Sequence, residues 1–137
     1  ARALPAGAAL HDAGLAVSDV LGTLDPQAPL VVIDAVRGGA APGRLHRLRL
    51  EAPWAGGAPL AGAVSLHEIS VLPALRIEAL TGRAFRDVTV FGVEPGRVAW
   101  GEGLSPPVAA AIAPLADAVA ELVDAKLACT AAGEALP

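Results

Sequence analysis

Leu30-Val31-Val32-Ile33 is an unbroken apolar run, three of its four residues β-branched, and it stops at a carboxylate, Asp34. A strand with one wet face alternates between apolar and polar residues. A run without alternation predicts a strand covered on both faces, the habit of parallel sheets flanked by helices. Val88-Thr89-Val90-Phe91-Gly92-Val93 reads as a later strand. Leu15, Val17, Val20, Leu21 and Leu24 between them give a helical period that Asp25-Pro26 stops. Ser65-Leu66-His67-Glu68 fits a capping box, so a helix is expected from there to Leu80, bent at Pro73 and closed by Thr81-Gly82. Ser105 is expected to cap a second long helix with Pro106 at its first position. Its apolar stripe would be Val108, Ile112, Leu115, Val119, Leu122 and Val123, with fraying after Ala128. A brief strand is expected at 8–11, a turn at 12–14, and a strand near a sheet edge at 44–50 with its arginines solvated. Glu51 to Val64, rich in Ala, Gly and Pro, reads as a mobile loop anchored by Trp54. The order β α β β α β α predicts an α/β three-layer sandwich, a mostly parallel twisted sheet with helices on both faces.

Composition narrows the function. The 137 residues suit a single domain with a core of its own. Fourteen acids against ten bases give a net charge of −4, and only 3 % of residues are aromatic, which argues against a nucleic-acid platform. No apolar run approaches the roughly 18 residues of a membrane span. One cysteine, Cys129, excludes an internal disulfide framework and a cysteine-rich zinc site. Without a secretory signal, a cytoplasmic enzyme or binding domain is expected. The first residue is Ala1, and the opening segment reads as the interior of a chain, so an upstream extension is expected as well.

Few residues could carry chemistry. Asp34 follows the most buried-looking strand, where open α/β sheets place their ligand crevice. It could meet a metal or a substrate cation there, or cap the following turn. His67 falls in the first turn of a helix, where the dipole disfavours imidazolium. A neutral ring there is a competent ligand or base, or simply a tolerated surface histidine. His11 and His46 read as structural, Glu94-Pro95-Gly96 as turn chemistry, Glu68 as part of the cap, and Asp12 as a turn residue or, after its strand, a second acid facing the crevice. Cys129 has no accompanying base motif. One carboxylate and one histidine are too few ligands for a tight metal site.

The ordered segments resemble a known family. Leu10-His11-Asp12-Ala13-Gly14, Leu30-Val31-Val32-Ile33-Asp34-Ala35-Val36 with Pro42-Gly43, Ser65-Leu66-His67-Glu68, Leu80-Thr81-Gly82, Val90-Phe91-Gly92-Val93-Glu94-Pro95 and Gly103-Leu104-Ser105-Pro106-Pro107-Val108 look like the hydrogenase maturation endopeptidases. His11 and Ala13 depart mildly from the family's usual residues. The resemblance implies an endopeptidase that removes the C-terminal extension of the [NiFe]-hydrogenase large-subunit precursor after nickel insertion. It implies Asp34 and His67 as residues that meet nickel, recognised in the substrate, and as catalytic residues of an aspartic-type or metal-dependent protease. The family's third, acidic ligand belongs to an N-terminal strand–Gly-x-Gly-Asn–acid–helix segment that this sequence does not match, so that piece is expected upstream. The precursor is the implied partner, with neither nucleic acid nor membrane. A non-catalytic relative that binds or assembles a hydrogenase subunit is the alternative.

Overall fold

The computed structural model describes residues 4–50, 64–65, 71–100 and 103–132. The elements in chain order are α1 (Val17–Thr23), β1 (Leu30–Arg37), β2 (Leu45–Leu50), β3 (Val64–Ser65), α2 (Val71–Leu80), β4 (Val88–Val93) and α3 (Pro106–Ala132). The sheet order is β2-β4-β1-β3. β1 and β4 run parallel from Leu30↔Val88 to Ala35↔Val93, while β2 pairs antiparallel with β4 and the short β3 antiparallel with β1. The sheet is therefore mixed among the described residues, with its parallel pair at the centre.

Side-chain alternation along these strands builds two cores. Val88 and Val90 of β4 join Leu50 of β2 against Leu21 of α1 and Val71, Ala74 and Leu75 of α2. Phe91 and Val93 point the other way, against Ala111, Leu115 and Leu122 of α3, with Val31 and Leu45 beside them. Every residue of β4 is buried, Thr89 included. β1 falls short of that expectation: Leu30, Val31 and Val32 are half-buried and Ile33 is 50 % exposed. Among the described residues, only the two-residue β3 lies along its outer edge.

Helix ends follow local chemistry. Leu24 leaves α1 in an extended conformation, and Asp25 then accepts the Gln27 N–H. At the end of α2, Arg83 N–H reaches the Glu78 carbonyl and Gly82 N–H the Ala79 carbonyl, the Schellman pattern foreseen at Thr81-Gly82. The Arg83 guanidinium then bonds the Leu21 and Leu24 carbonyls and the Glu78 carboxylate, supplying the cation that the last turn of α1 lacks.

Several expectations need correction. Residues 8–11 form no strand, and Leu10 is 77 % exposed with no neighbouring strand to pair with among the described residues. β1 continues past Asp34 to Arg37 because Val36 and Arg37 find new partners in β3. Val64 and Ser65 are strand, not the end of a loop; 51–63, with Trp54, and the remainder of the capping box, with Glu68, lie outside the described residues. Pro73 is the third described residue of α2, and because 66–70 lie outside the described residues the expected bend there is not tested. At α3, Ala109 N–H bonds the Ser105 carbonyl, but the Ser105 hydroxyl has no partner. Pro106 and Pro107 have no N–H to offer it. The buried stripe of α3 runs through Ala111, Leu115, Leu122 and Lys126, with Ile112 at 44 % exposure, and the helix persists to Ala132. Lys126 is buried and meets Asp87 at 2.5 Å, tying α3 to the start of β4.

Candidate functional site at the carboxyl ends of the central strands

The parallel pair β1–β4 brings two carboxyl ends to one rim of the sheet. Pairing sets one row across three strands: His46 on β2, Gly92 on β4 and Asp34 on β1. Residues in such a row share a face, so the Asp34 and His46 side chains stand on the α1–α2 side, with Cα atoms roughly 10 Å apart at the usual strand spacing. Gly92 puts no side chain of its own between them. A Cβ there would lie 2.6 Å from Val36 Cβ and 2.6 Å from Val36 Cγ2. The glycine thus lets Val36 fill the space and closes the sheet behind Asp34.

Asp34 is half-buried, and its Oδ1 accepts the N–H of Ala35 at 2.7 Å. Because the strand continues, Asp34 caps no turn there. Its carboxylate is held on the ordered central strand, where a site needs its acid to be fixed. Asp34 can accept a proton, coordinate a cation or take a hydrogen bond.

The sequence reading missed the rim's most firmly held acid. Glu94, read as turn chemistry, is 5 % exposed. Its Oε2 accepts Gly38 N–H at 2.8 Å and meets His46 Nε2 at 2.9 Å, and its Oε1 accepts Gly39 N–H at 3.3 Å. The Gly38 amide leads in holding the Glu94 carboxyl below its ordinary range; burial opposes it, while His46 and the amides of Ala40 and Gly39 assist. This clamp fixes the connection between β1 and β2. The same connection closes with a turn in which Arg44 N–H bonds the Ala41 carbonyl, with Pro42 second and Gly43, at φ +83°, third. Gly43 N–H bonds the Glu94 carbonyl, and Glu94 N–H bonds the Arg44 carbonyl. Two residues therefore face one, a glycine bulge at the mouth of the β2–β4 ladder. A side chain at Gly43 would also strike the Pro107 carbonyl oxygen.

The remaining candidates fall as follows. His67 lies outside the described residues. His11 is exposed, and Asp12 accepts Gly14 N–H in the expected turn. His46 has the structural role expected of it, as the partner of Glu94. Cys129 is partly buried near the end of α3. Among the described residues, no three His, Cys, Asp or Glu side chains gather closely enough to hold a metal ion. No described helix is long and apolar enough to cross a membrane.

An open α/β sheet with a carboxylate on its central strand, near the rim where parallel strands end, belongs to the class of folds that bind ligands at that rim. Within it the comparisons point to one group. The model of the hydrogenase maturation protease family matches residues 2–122, so the chain belongs to that family. The fold is similar to the hydrogenase maturating endopeptidase HybD from E. coli, at 28 % identity and a TM-score of 0.67, covering 85 % of this chain and 71 % of that one. It is also similar to the [NiFe] hydrogenase maturation protease HybD from Thermococcus kodakarensis, at 19 % identity and a TM-score of 0.66, covering 82 % and 76 %. No curated protein sequence matches the chain.

Proposed function

We propose that the chain is an endopeptidase that cleaves the C-terminal extension from the [NiFe]-hydrogenase large-subunit precursor once nickel has been inserted, with Asp34 and His67 meeting that nickel. Family membership over residues 2–122 supports the reaction class, and the relatives' names supply the substrate class. The observation that carries the assignment is the row that sets Asp34 on the central parallel pair, over Gly92. Hydrolysis of a peptide bond needs a group that takes a proton from the attacking water, which a fixed carboxylate provides. The substrate's nickel would supply Lewis-acid polarisation. Asp34 then serves as a ligand toward that metal or as the base beside it, and His67 as the nitrogen donor.

The test is precursor processing followed by intact-mass spectrometry. Asp34→Asn and His67→Gln should each leave the precursor at full length, while nickel-free precursor should resist the unaltered chain. Normal trimming by both variants would refute the site assignment. Precursor bound but never trimmed by the unaltered chain would instead identify an assembly module.

A further inference from the structure

The outer edge of β2 has no strand beside it among the described residues, since the sheet order ends there. Its inner ladder begins with the Glu94 N–H bond to Arg44 and continues through His46, Leu48 and Leu50 opposite β4. Antiparallel alternation then turns the N–H and C=O groups of Leu45, Arg47 and Arg49 outward. A polypeptide main chain offers donors and acceptors at the matching repeat, which makes an extended peptide the natural occupant of such an edge.

A groove of roughly 400 Å³ runs along the same edge, between β2 and α3. Leu45, Phe91, Ala118 and Leu122 give it an apolar floor. Side chains at 45, 47 and 49 share this face, so a strand added to β2 would send every second side chain into the groove. Arg47 is exposed and lies with its guanidinium 5.7 Å from the Phe91 ring centroid. No carboxylate stands at ion-pair distance from it among the described residues. Arginine on an edge strand often serves only to block promiscuous pairing. Here it is drawn over an aromatic ring beside a hollow, which holds the charge in place. Glu121 on the α3 wall opposes a second acid deeper in the groove.

The geometry points to the outer edge of β2 as the docking strand for an extended segment of the protein substrate, with an acidic side chain opposite Arg47 and apolar side chains two positions to either side. The assignment of that segment to the substrate rests on the protease reading above. The edge itself is independent of Asp34, which stands on the opposite face of the sheet.

The experiment uses two labelled heptapeptides, Thr-Leu-Thr-Asp-Thr-Leu-Thr and its twin with a central lysine, titrated by fluorescence anisotropy against the full chain. The aspartate peptide should bind more tightly than its twin by roughly fivefold, the reach of one exposed charge pair. Arg47→Glu should reverse that preference, and Ala125→Trp, which fills the groove, should weaken both peptides. Bound peptide should slow amide exchange at Leu45, Arg47 and Arg49. Equal affinity for the twins, no binding, or protection confined to other strands would overturn the edge. In precursor processing, Arg47→Glu should raise KM and leave kcat unchanged; an unchanged KM would overturn the docking while the protease reading stands. If the unaltered chain trims no precursor, the protease reading fails, and the peptide titrations still judge the edge.

Discussion

Gly92→Ala tests the closeness of the central strands. The new Cβ would sit 2.6 Å from both Cβ and Cγ2 of Val36 and 3.4 Å from its Cγ1. Val36 cannot rotate away from a contact that involves its own Cβ. Its backbone cannot retreat freely either, since β4 holds β1 on one side and Ser65 of β3 pairs with Val36 on the other. The strands must shift at the row that carries Asp34. Overpacking of this kind costs about 1–3 kcal/mol, and a Cβ–Cβ clash belongs at the upper end. Loss of glycine's backbone freedom returns roughly 0.5–1 kcal/mol. The net loss of about 2 kcal/mol corresponds to a fall in Tm of roughly 6–10 °C for a chain of this size. Circular dichroism melts and urea midpoints of Gly92→Ala, Val36→Ala and the double variant would measure it. Val36→Ala removes both Cγ atoms and keeps the Cβ, so the double variant should recover part of the loss, with a coupling of about 1 kcal/mol. A melt within about 1 °C of the unaltered chain, or strictly additive single effects, would refute this account of the glycine.

Acid sensitivity should trace to Glu94. Its carboxyl titrates below its ordinary range in the folded chain, so as the pH falls the unfolded chain binds that proton first. The stabilisation is complete above the ordinary carboxylate range and disappears as pH drops through it toward the lowered folded value. Urea midpoints between pH 6 and pH 3 should therefore fall less steeply for Glu94→Gln, and parallel curves would contradict the clamp. Lys126→Ala should destabilise by about 2–3 kcal/mol, less than the roughly 3–5 kcal/mol of a fully buried pair, because Asp87 retains contact with water. A loss under about 0.5 kcal/mol in urea unfolding, the range of an ordinary surface change, would contradict the role given to this pair.

The parts of the fold legible in the sequence were those that local chemistry decides. Val88–Val93 is a mostly apolar segment and is buried throughout, and Thr81-Gly82 closes its helix through contacts within six residues. Four features depended on distant partners. β3 is two residues long, with no periodicity to detect, and exists because Val36 and Arg37 lie opposite it. The α3 stripe passed through Ala111 rather than Ile112, since docking on Phe91 and Val93 chose a face that the alanine-rich sequence left ambiguous. Glu94 looked like a turn residue because its partners, Gly38, Gly39 and His46, are about fifty positions away. The apolar run alone puts Asp34 after a strand; the structure sets it within one, beside Gly92, through a register no single segment encodes.

The extra residue at Gly43–Arg44 sets the phase of everything that follows it in β2. Side chains along a strand alternate in direction, so the chain carries a parity, and this insertion chooses it. Deleting one residue between Pro42 and Leu45 would invert the strand. The imidazole that meets Glu94 would be carried to the side of the long C-terminal helix, and the guanidinium now over Phe91 would arrive at the carboxylate clamp. Natural variants of this connection should therefore change length by whole pairs of residues or abandon both contacts together.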